Sequence, residues 1–192
     1  MKKVAKFEKV SCEQFKNSVM EFAIEKYGEG LVESVGNDLA EKAVEVIYDK
    51  IKLPKRATIG SAGYDFFLPF SIKLKPGETI KIPTGVRVKI NEGWVLKAYP
   101  RSGLGFKYRL QLNNTVGIID SDYYNSDNEG HIFAKITNDS NEEKTISLNC
   151  GEAFMQGIFV EYGITEDDDA DGVRNGGFGS TSSMRTQKNF LV

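Results

Sequence analysis

The chain has 192 residues, of which 40% are hydrophobic and 27% are charged, a balance typical of a globular protein. Its 25 Lys and Arg against 27 Asp and Glu give a net charge of -2, so no large positive field is available to hold nucleic acid. Two distant cysteines and one histidine exclude zinc fingers and favour a reducing compartment. No apolar run reaches a membrane span of roughly 18 residues and none follows Met1 as a signal core, so we expect a cytoplasmic protein that binds neither nucleic acid nor membrane.

The first part of the chain predicts a short strand followed by two helices. The apolar spacing of residues 3–10 favours an edge strand. Ser11 is a good capping residue, and apolar residues then recur at helical intervals up to Gly28, which predicts a helix over residues 11–27. A second helix is predicted over residues 37–50. The apolar stripes of both helices are typical of packing on the domain, and a protein partner for them is the alternative.

From Leu53 onward the apolar pattern changes to the period of two that is typical of strands. Short strands separated by Gly, Pro and Asn turns, with no helices between them, predict a mostly β, antiparallel sandwich or jelly roll. The acidic residues 166–171 and the glycine-rich residues 174–183 predict a solvated, mobile tail. The predicted strands are residues 79–83, 86–90, 94–99, 131–138, 144–148 and 153–162.

Five short segments carry residues suited to nucleotide chemistry, and each alone is weak support. They are Ala62-Gly63-Tyr64-Asp65, Pro100-Arg101-Ser102-Gly103-Leu104, Gly117-Ile118-Ile119-Asp120-Ser121-Asp122-Tyr123, Gly151-Glu152-Ala153-Phe154-Met155-Gln156 and Arg174-Asn175-Gly176-Gly177-Phe178-Gly179-Ser180-Thr181. Their order and spacing resemble the trimeric dUTP diphosphatase (dUTPase) family over about residues 53–182. The resemblance implies an antiparallel jelly roll or distorted β-barrel with a flexible arm at 163–192. We expect a single domain over residues 1–192, in which residues 11–51 are a helical insertion.

The candidate general base is Asp120. It follows the apolar residues 116–119, so its carboxylate stands at the end of a predicted strand, where fixed geometry suits proton transfer. Taken alone, such an aspartate is usually a turn former. The resemblance implies that Asp120 takes a proton from the water that attacks the α-phosphorus of dUTP, which releases pyrophosphate and leaves dUMP.

The resemblance also implies how the base and the sugar are selected. Asn114 matches a hairpin that reads uracil through backbone hydrogen bonds, with Ile118 and Ile119 as backbone and wall. Tyr123 would lie against the deoxyribose and leave no space for a 2′-hydroxyl. From the residues alone, Asn114 could be only a turn residue and Tyr123 only a core tyrosine.

Phosphate ligands are implied by the second and fourth segments. Arg101, Ser102 and Gly103 offer a guanidinium, a hydroxyl and a backbone amide within three residues, and Gln156 can donate to a phosphate oxygen without adding charge. The same residues are also common in ordinary loops and strands.

The fifth segment is the most specific of the five. Arg174 would bind the γ-phosphate, Phe178 would cover the uracil, and Gly179 and Ser180 would bring a backbone amide and a hydroxyl to the anion. No lysine precedes Ser180, so the segment is not a Walker loop. The bland alternative is a disordered glycine-rich tail.

A triphosphate substrate implies Mg²⁺, held by phosphate oxygens and water without a protein cage. Asp65 is a possible outer-shell group, or a hydrogen-bonding acid in a glycine-rich turn. The resemblance implies a homotrimer with three sites shared between subunits.

The chain departs from the family pattern in three places. Residues 124–130 lengthen the connection before His131, and the fifth segment is one residue shorter between Arg174 and its glycine pair. The opening strand of the family would normally stand close to residue 53. We therefore expect residues 3–10 to supply that strand and residues 11–51 to be inserted after it.

Two other functions compete with dUTP hydrolysis. A deaminase acting on dCTP would need a general acid/base glutamate facing C4 of the pyrimidine, and residues 112–119 contain none. A regulatory binding protein would use residues 11–51 to hold a partner, with nucleotide binding as its switch. Candidates for a base, a uracil pocket and a phosphate clamp argue against the second alternative as a sole role.

Overall fold

The computed structural model of the protein describes residues 2–30, 37–172, Arg174 and Gly176. The predictions made for Phe178, Gly179 and Ser180 lie outside the described residues. Helices α1, α2 and α3 span Cys12–Tyr27, Asn37–Asp49 and Ser102–Tyr108, and a 3₁₀ helix spans Ser121–Asn125. Strands β1 to β12 span, in order, Ala5–Lys9, Lys55–Arg56, Tyr64–Phe67, Ile72–Leu74, Thr79–Pro83, Val86–Ile90, Trp94–Pro100, Leu110–Leu112, Gly117–Ile119, Phe133–Asn138, Ile146–Leu148 and Ala153–Glu161.

The strands pair antiparallel throughout the described part of the chain, which confirms the mostly β, jelly-roll prediction. A five-stranded sheet has the order β2-β3-β12-β7-β9, and a three-stranded sheet has the order β5-β10-β8. Two further pairs join β1 to β6 and β4 to β11. The nine-residue strand β12 lies between β3 and β7, so it brings together elements that are far apart in sequence.

The N-terminal elements follow the capping and pairing signals of the sequence. The Ser11 hydroxyl accepts from the Gln14 amide at the start of α1, and Gly28 ends the helix with a φ of 84°. Strand β1 pairs with β6, from Ala5 opposite Ile90 to Lys9 opposite Val86. The predicted strand at residues 3–10 and both predicted helices are therefore confirmed as elements.

Helix α1 contributes side chains to the main core. Phe15 is fully buried and lies 5.9 Å from the Tyr48 ring of α2 and 6.3 Å from the His131 ring, between ring centroids. Gly85, in the turn between β5 and β6, has a φ of 72°, and a side chain there would meet Ile51 at 2.3 Å. The helical segment therefore packs into the β domain instead of standing apart from it.

The structure decides between alternatives that the sequence leaves open at two places. Asp65 is part of β3, opposite Gln156 of β12, and not of a turn. Arg101 directly precedes α3, which begins at Ser102, so these residues are not an ordinary loop. Short strands with few residues on each face, such as β3, give too little periodicity for the sequence to identify them.

His131 is a fully buried polar residue between α1 and the β5–β6 turn. Its Nε2 accepts from the Gly85 amide at 2.8 Å, and its Nδ1 lies 3.1 Å from the Ser18 hydroxyl. Because the amide can only donate, Nε2 carries no proton, and the neutral ring donates from Nδ1 to Ser18. Burial lowers the pKa of His131 from 6.5 to about 3, which keeps the ring neutral at physiological pH.

We expect this buried histidine to make the protein less stable in mild acid. Below pH 6.5 the unfolded chain takes up a proton that the folded chain does not bind until about pH 3, so the free energy of unfolding falls as the pH drops through that window. The contribution is about 1.4 kcal/mol per pH unit. The measurement is urea unfolding at pH 6 and pH 4.5, at one protein concentration. The free energy of unfolding of His131→Gln should fall less steeply with decreasing pH than that of the wild type, by about 1.4 kcal/mol per pH unit. Equal slopes in the two proteins would contradict it.

Three further observations concern the helices, the acidic residues and the cysteines. None of the helices among residues 2–30 and 37–172 combines the length and apolar character needed to cross a bilayer. The acidic residues 166–171 are all exposed, as predicted. Cys12 and Cys150 are free thiols.

Candidate functional site

Residues of the first, second and fourth segments lie on, or directly after, neighbouring strands of the five-stranded sheet. Gln156 on β12 lies opposite Asp65 of β3 on one side and opposite Tyr99 of β7 on the other. Arg101 directly follows β7. The first, second and fourth segments are therefore brought together by strand pairing, as a shared binding function requires.

The Arg101 side chain is oriented by a carboxylate. Its Nε lies 3.1 Å from Oδ1 of Asp65, and its NH1 donates to the Ala153 carbonyl at 3.4 Å. An open cleft of about 490 Å³ lies over Arg101, Ser102 and Gly103. The Arg101 side chain is 44% exposed and lines this cleft, so its guanidinium has donors still available to an anion.

Gln156 is held tightly from two sides. Its Nε2 donates to the Pro100 carbonyl at 3.3 Å, and a side chain on Gly63 would meet its Oε1 at 2.6 Å. A larger residue at position 63 would displace the Gln156 amide. The first segment thus contributes two residues to this region: Asp65, which pairs with Arg101, and Gly63, whose backbone lies close to the Gln156 amide.

Asp120 stands directly after β9, as predicted. It occupies the N-cap position of the 3₁₀ helix, yet its side chain makes no capping hydrogen bond. The carboxylate is 50% exposed, and its Oδ2 accepts from NH1 of Arg174 at 3.0 Å. A half-exposed carboxylate on a fixed backbone has the access to water that a general base needs.

Tyr123 is buried, with its hydroxyl held inside the fold. The hydroxyl donates to the His131 carbonyl at 2.7 Å and accepts from Nδ2 of Asn128 at 2.9 Å. Burial raises the pKa of Tyr123, so the hydroxyl stays protonated and can keep its donor role. The Arg174 guanidinium lies 5.1 Å from the ring centroid, which shows that a face of the ring is reachable from the side of the arm.

A second cavity, of about 350 Å³, lies beside Asn114. Gly117, Ile119 and Ala98 also line it, and Gly117 lies so close to Ala98 that an added Cβ would stand 3.1 Å from the alanine methyl. Ile118 points away, with 46% of its surface exposed, because side chains alternate along β9. The side chain of Ile118 therefore does not line this cavity, and its backbone role stays a prediction.

Arg174, from the fifth segment, lies on the carboxylates of its own chain. Its NH1 contacts Oδ2 of Asp120 at 3.0 Å and Oδ1 of Asp122 at 3.1 Å, and only 14% of its side chain is exposed. The role of Arg174 toward a neighbouring subunit stays a prediction.

The Asp120 region and the Arg101 region of one chain lie far apart. In the β7–β9 pair, Ile119 is opposite Leu96, so Asp120 lies toward the beginning of β7, whereas Arg101 follows its end. The five residues from Leu96 to Arg101 span roughly 16 Å of extended strand. Neither side chain can cover that distance. One chain alone therefore does not bring the candidate base and the phosphate cluster together.

The described residues offer no ready metal cage. Within that part of the chain, no group of three or more His, Cys, Asp or Glu gathers closely enough to hold a metal ion. Asp65 is already paired with Arg101, and Asp120 and Asp122 are paired with Arg174. The outer-shell role of Asp65 toward a metal ion stays a prediction.

Several residues of these sites were not identified from the sequence. Ala98 and Met155 line the cavity beside Asn114, and Asp122 shares Arg174 with Asp120. The small size of Ala98, opposite Gly117 in the β7–β9 pair, is a signal only once the register is known. Asp122 was within reach of sequence reasoning, since it lies two residues from the candidate base.

Comparison with known proteins gives consistent results. A family model for dUTPase matches residues 49–182, more than half of the chain. The deoxyuridine 5'-triphosphate nucleotidohydrolase of Lactococcus lactis subsp. lactis (strain IL1403) is 43% identical over 136 residues, covering 69% of this chain and 89% of that protein. Residues 1–48 lie outside the family match.

Solved structures agree with the sequence relatives. The crystal structure of dUTPase from Streptococcus mutans is 38% identical with a TM-score of 0.54, covering 62% of this chain and 91% of that one. A mutant dUTPase from phage phi11 of S. aureus, described with a structural Mg(II) ion, has a TM-score of 0.53 and covers 65% of this chain and 92% of that one. At 24% identity, this second likeness shows the fold alone.

Proposed function

The chain belongs to the dUTPase family, and on that premise we propose that it hydrolyses dUTP to dUMP and pyrophosphate with Asp120 as the general base. One observation carries this assignment. The Asp120 side chain is half exposed at the end of β9 and makes no capping hydrogen bond to the 3₁₀ helix. Asp120 accepts a proton from water while the water oxygen bonds to the α-phosphorus. The bond from that phosphorus to the bridging oxygen breaks, and pyrophosphate leaves.

The rest of the machinery is assigned from the geometry of the clusters. Arg101, Ser102, Gly103 and Gln156 bind the phosphates in the cleft at the end of β7. The cavity beside Asn114 takes the uracil, and its close Gly117–Ala98 contact supports a tight fit around the base.

Tyr123 sets the sugar specificity in this proposal. Its hydroxyl is fixed within the fold, so the ring cannot swing aside for a larger sugar. A 2′-hydroxyl placed against the ring would lack both space and a hydrogen-bond partner.

Mg²⁺ is the proposed cofactor, and when bound it neutralises phosphate charge and favours in-line geometry. The ion pair between Asp65 and Arg101 leaves the carboxylate suited to an outer-shell contact. Localisation in the cytoplasm and a single domain over residues 1–192, with an insertion at 11–51 and an arm at 163–192, are part of the same proposal.

The distance between the two clusters supports a homotrimer with shared sites. Because roughly 16 Å of strand β7 separates the level of Ile119 from Arg101, the base of one subunit must work with the phosphate cluster of another. The arm carrying Arg174, Phe178, Gly179 and Ser180 would close over a site from a third subunit. This arrangement would require Arg174 to leave its own Asp120.

A deaminase acting on dCTP is disfavoured by the cavity lining. Among the described residues that line the cavity beside Asn114 there is no aspartate or glutamate, so no carboxylate faces the position of a pyrimidine C4. Assays of ammonia against pyrophosphate release separate the two reactions.

A substrate panel tests the proposal. With Mg²⁺ present, dUTP, dTTP, UTP and dCTP are compared by pyrophosphate release, and we expect kcat/KM for dUTP to exceed that for each of the others by at least about 10²-fold. Comparable turnover of UTP would contradict the proposal that Tyr123 excludes a 2′-hydroxyl. Comparable turnover of dTTP would contradict the proposal that the cavity beside Asn114 selects uracil.

A further inference from the structure

Two of the segments that depart from the family pattern lie against each other in the fold. The helical segment, residues 11–51, contacts the lengthened connection, residues 124–130, and His131 directly after it. The same connection follows Tyr123 in the chain. The contacts between these segments therefore bear on the position of the proposed sugar-binding side chain.

The first contact joins the start of α1 to Glu129. The Ser11 amide and hydroxyl both donate to the Glu129 carboxylate, at 2.7 and 2.6 Å. Glu129 has a φ of 58°, a left-handed conformation that is unfavourable for a residue with a side chain. Gly130 follows at 68°, and a Cβ there would meet the Tyr123 carbonyl at 2.7 Å. A strained backbone persists only where its surroundings hold it, and Ser11 supplies that hold.

The second contact joins the middle of α1 to His131. The Ser18 hydroxyl accepts from Nδ1 of His131 and from Nε2 of Gln14, and donates to the Gln14 carbonyl. All three of these bonds lie within 3.0–3.1 Å, so the hydroxyl has its full complement of partners. Ser18 and His131 are both buried, which makes loss of either partner costly.

The third contact joins His131 to the side chain of Tyr123. The Tyr123 hydroxyl donates to the carbonyl of the same His131 and accepts from Asn128 within the lengthened connection. The chain of contacts from α1 to the ring is thus Ser18, His131 and Tyr123, with Ser11 and Glu129 as a second attachment.

We propose that helix α1 positions Tyr123 through Ser18 and His131, so that discrimination between dUTP and UTP depends on the helical segment. Ser18 and His131 are positioning residues, because neither lines the cavity beside Asn114 and neither is assigned a contact with the substrate. The effect on discrimination between dUTP and UTP rests on the proposed function of Tyr123. The positioning of the Tyr123 ring by α1 does not depend on that function.

The test compares Ser18→Ala with a control on the same helix. Ser18→Ala leaves Nδ1 of His131 without its acceptor. The control, Lys16→Gln, breaks the 2.7 Å ion pair between Lys16 and Glu41 that joins α1 to α2, and leaves the contacts of Ser18 intact. Two measurements are made on each full-length protein: hydrogen exchange of the amides of residues 121–126, and kcat/KM for dUTP and for UTP.

We expect Ser18→Ala to accelerate exchange at residues 121–126 by about tenfold and to lower the dUTP-to-UTP ratio of kcat/KM at least about fivefold. In Lys16→Gln both quantities should stay within about twofold of the wild type. If Ser18→Ala does not fold, Ser11→Ala, which removes the hydroxyl donor to Glu129 at an exposed position, should shift both measurements in the same direction.

The outcomes separate this inference from the proposed function. Unchanged exchange at residues 121–126, with or without a lower melting temperature, would overturn the positioning role. Faster exchange with an unchanged ratio, in a protein that does prefer dUTP, would overturn the link to sugar discrimination. Faster exchange in a protein whose wild type turns over UTP as well as dUTP would support positioning and refute the proposed role of Tyr123.

Discussion

Asp120→Asn is expected to lower kcat for dUTP by roughly 10³-fold while the affinity for a non-hydrolysable dUTP analogue stays nearly unchanged. The amide keeps the size and shape of the carboxylate at the end of β9 but cannot accept the proton of the attacking water. Single-turnover pyrophosphate release gives the rate, and calorimetric titration of the analogue gives the affinity.

The matched control is Asp122→Asn. Asp122 lies two residues away, is similarly exposed, and shares NH1 of Arg174 with Asp120. It should cost less than about threefold in kcat, since it is not assigned a proton. An equal loss in both variants would show that the effect arises from the Arg174 contact instead of from proton transfer.

Mixing two inactive variants is expected to restore activity. Asp120→Asn and Arg101→Ala remove groups that lie roughly 16 Å apart along β7 in one chain. If each site takes its base from one subunit and its phosphate cluster from another, equal mixing gives ½ × ½, or about a quarter, of sites with both groups intact. Co-refolding the two variants and measuring pyrophosphate release relative to the wild type gives that fraction.

The control mixture is Asp120→Asn with Asp120→Ala, in which every site lacks the base. It should remain inactive under the same refolding conditions. Absence of recovery in the first mixture, with trimers confirmed by light scattering, would mean that both groups of a site come from one chain.

The sequence predicts the elements whose signals are local. The Pro76-Gly77 pair forms one of the Gly and Pro turns predicted between strands, in which Gly77 has a φ of 81° and the Glu78 amide donates to the Lys75 carbonyl. Ser11 and Gly28 delimit α1 as their capping chemistry requires. In each case the residues that decide the conformation lie within a few positions of one another.

The features that the sequence leaves open or does not reveal are decided by distant residues. Asp65 belongs to β3 because β12 pairs with it, and its ion pair joins it to Arg101, 36 positions away. The contact between Ser18 and His131 spans 113 positions. No periodicity within a window of the sequence encodes such pairings, so the role of the helical segment could be found only from the fold.

The attachment of Ser11 to Glu129, 118 positions later, has a consequence for biosynthesis. A nascent chain emerges from the ribosome N-terminus first, so α1 must wait for most of the polypeptide before Glu129 and His131 become available to it. Closing a loop of this length is entropically costly and slows folding. Helix α1 therefore completes these contacts only after residues 129–131 have been synthesised.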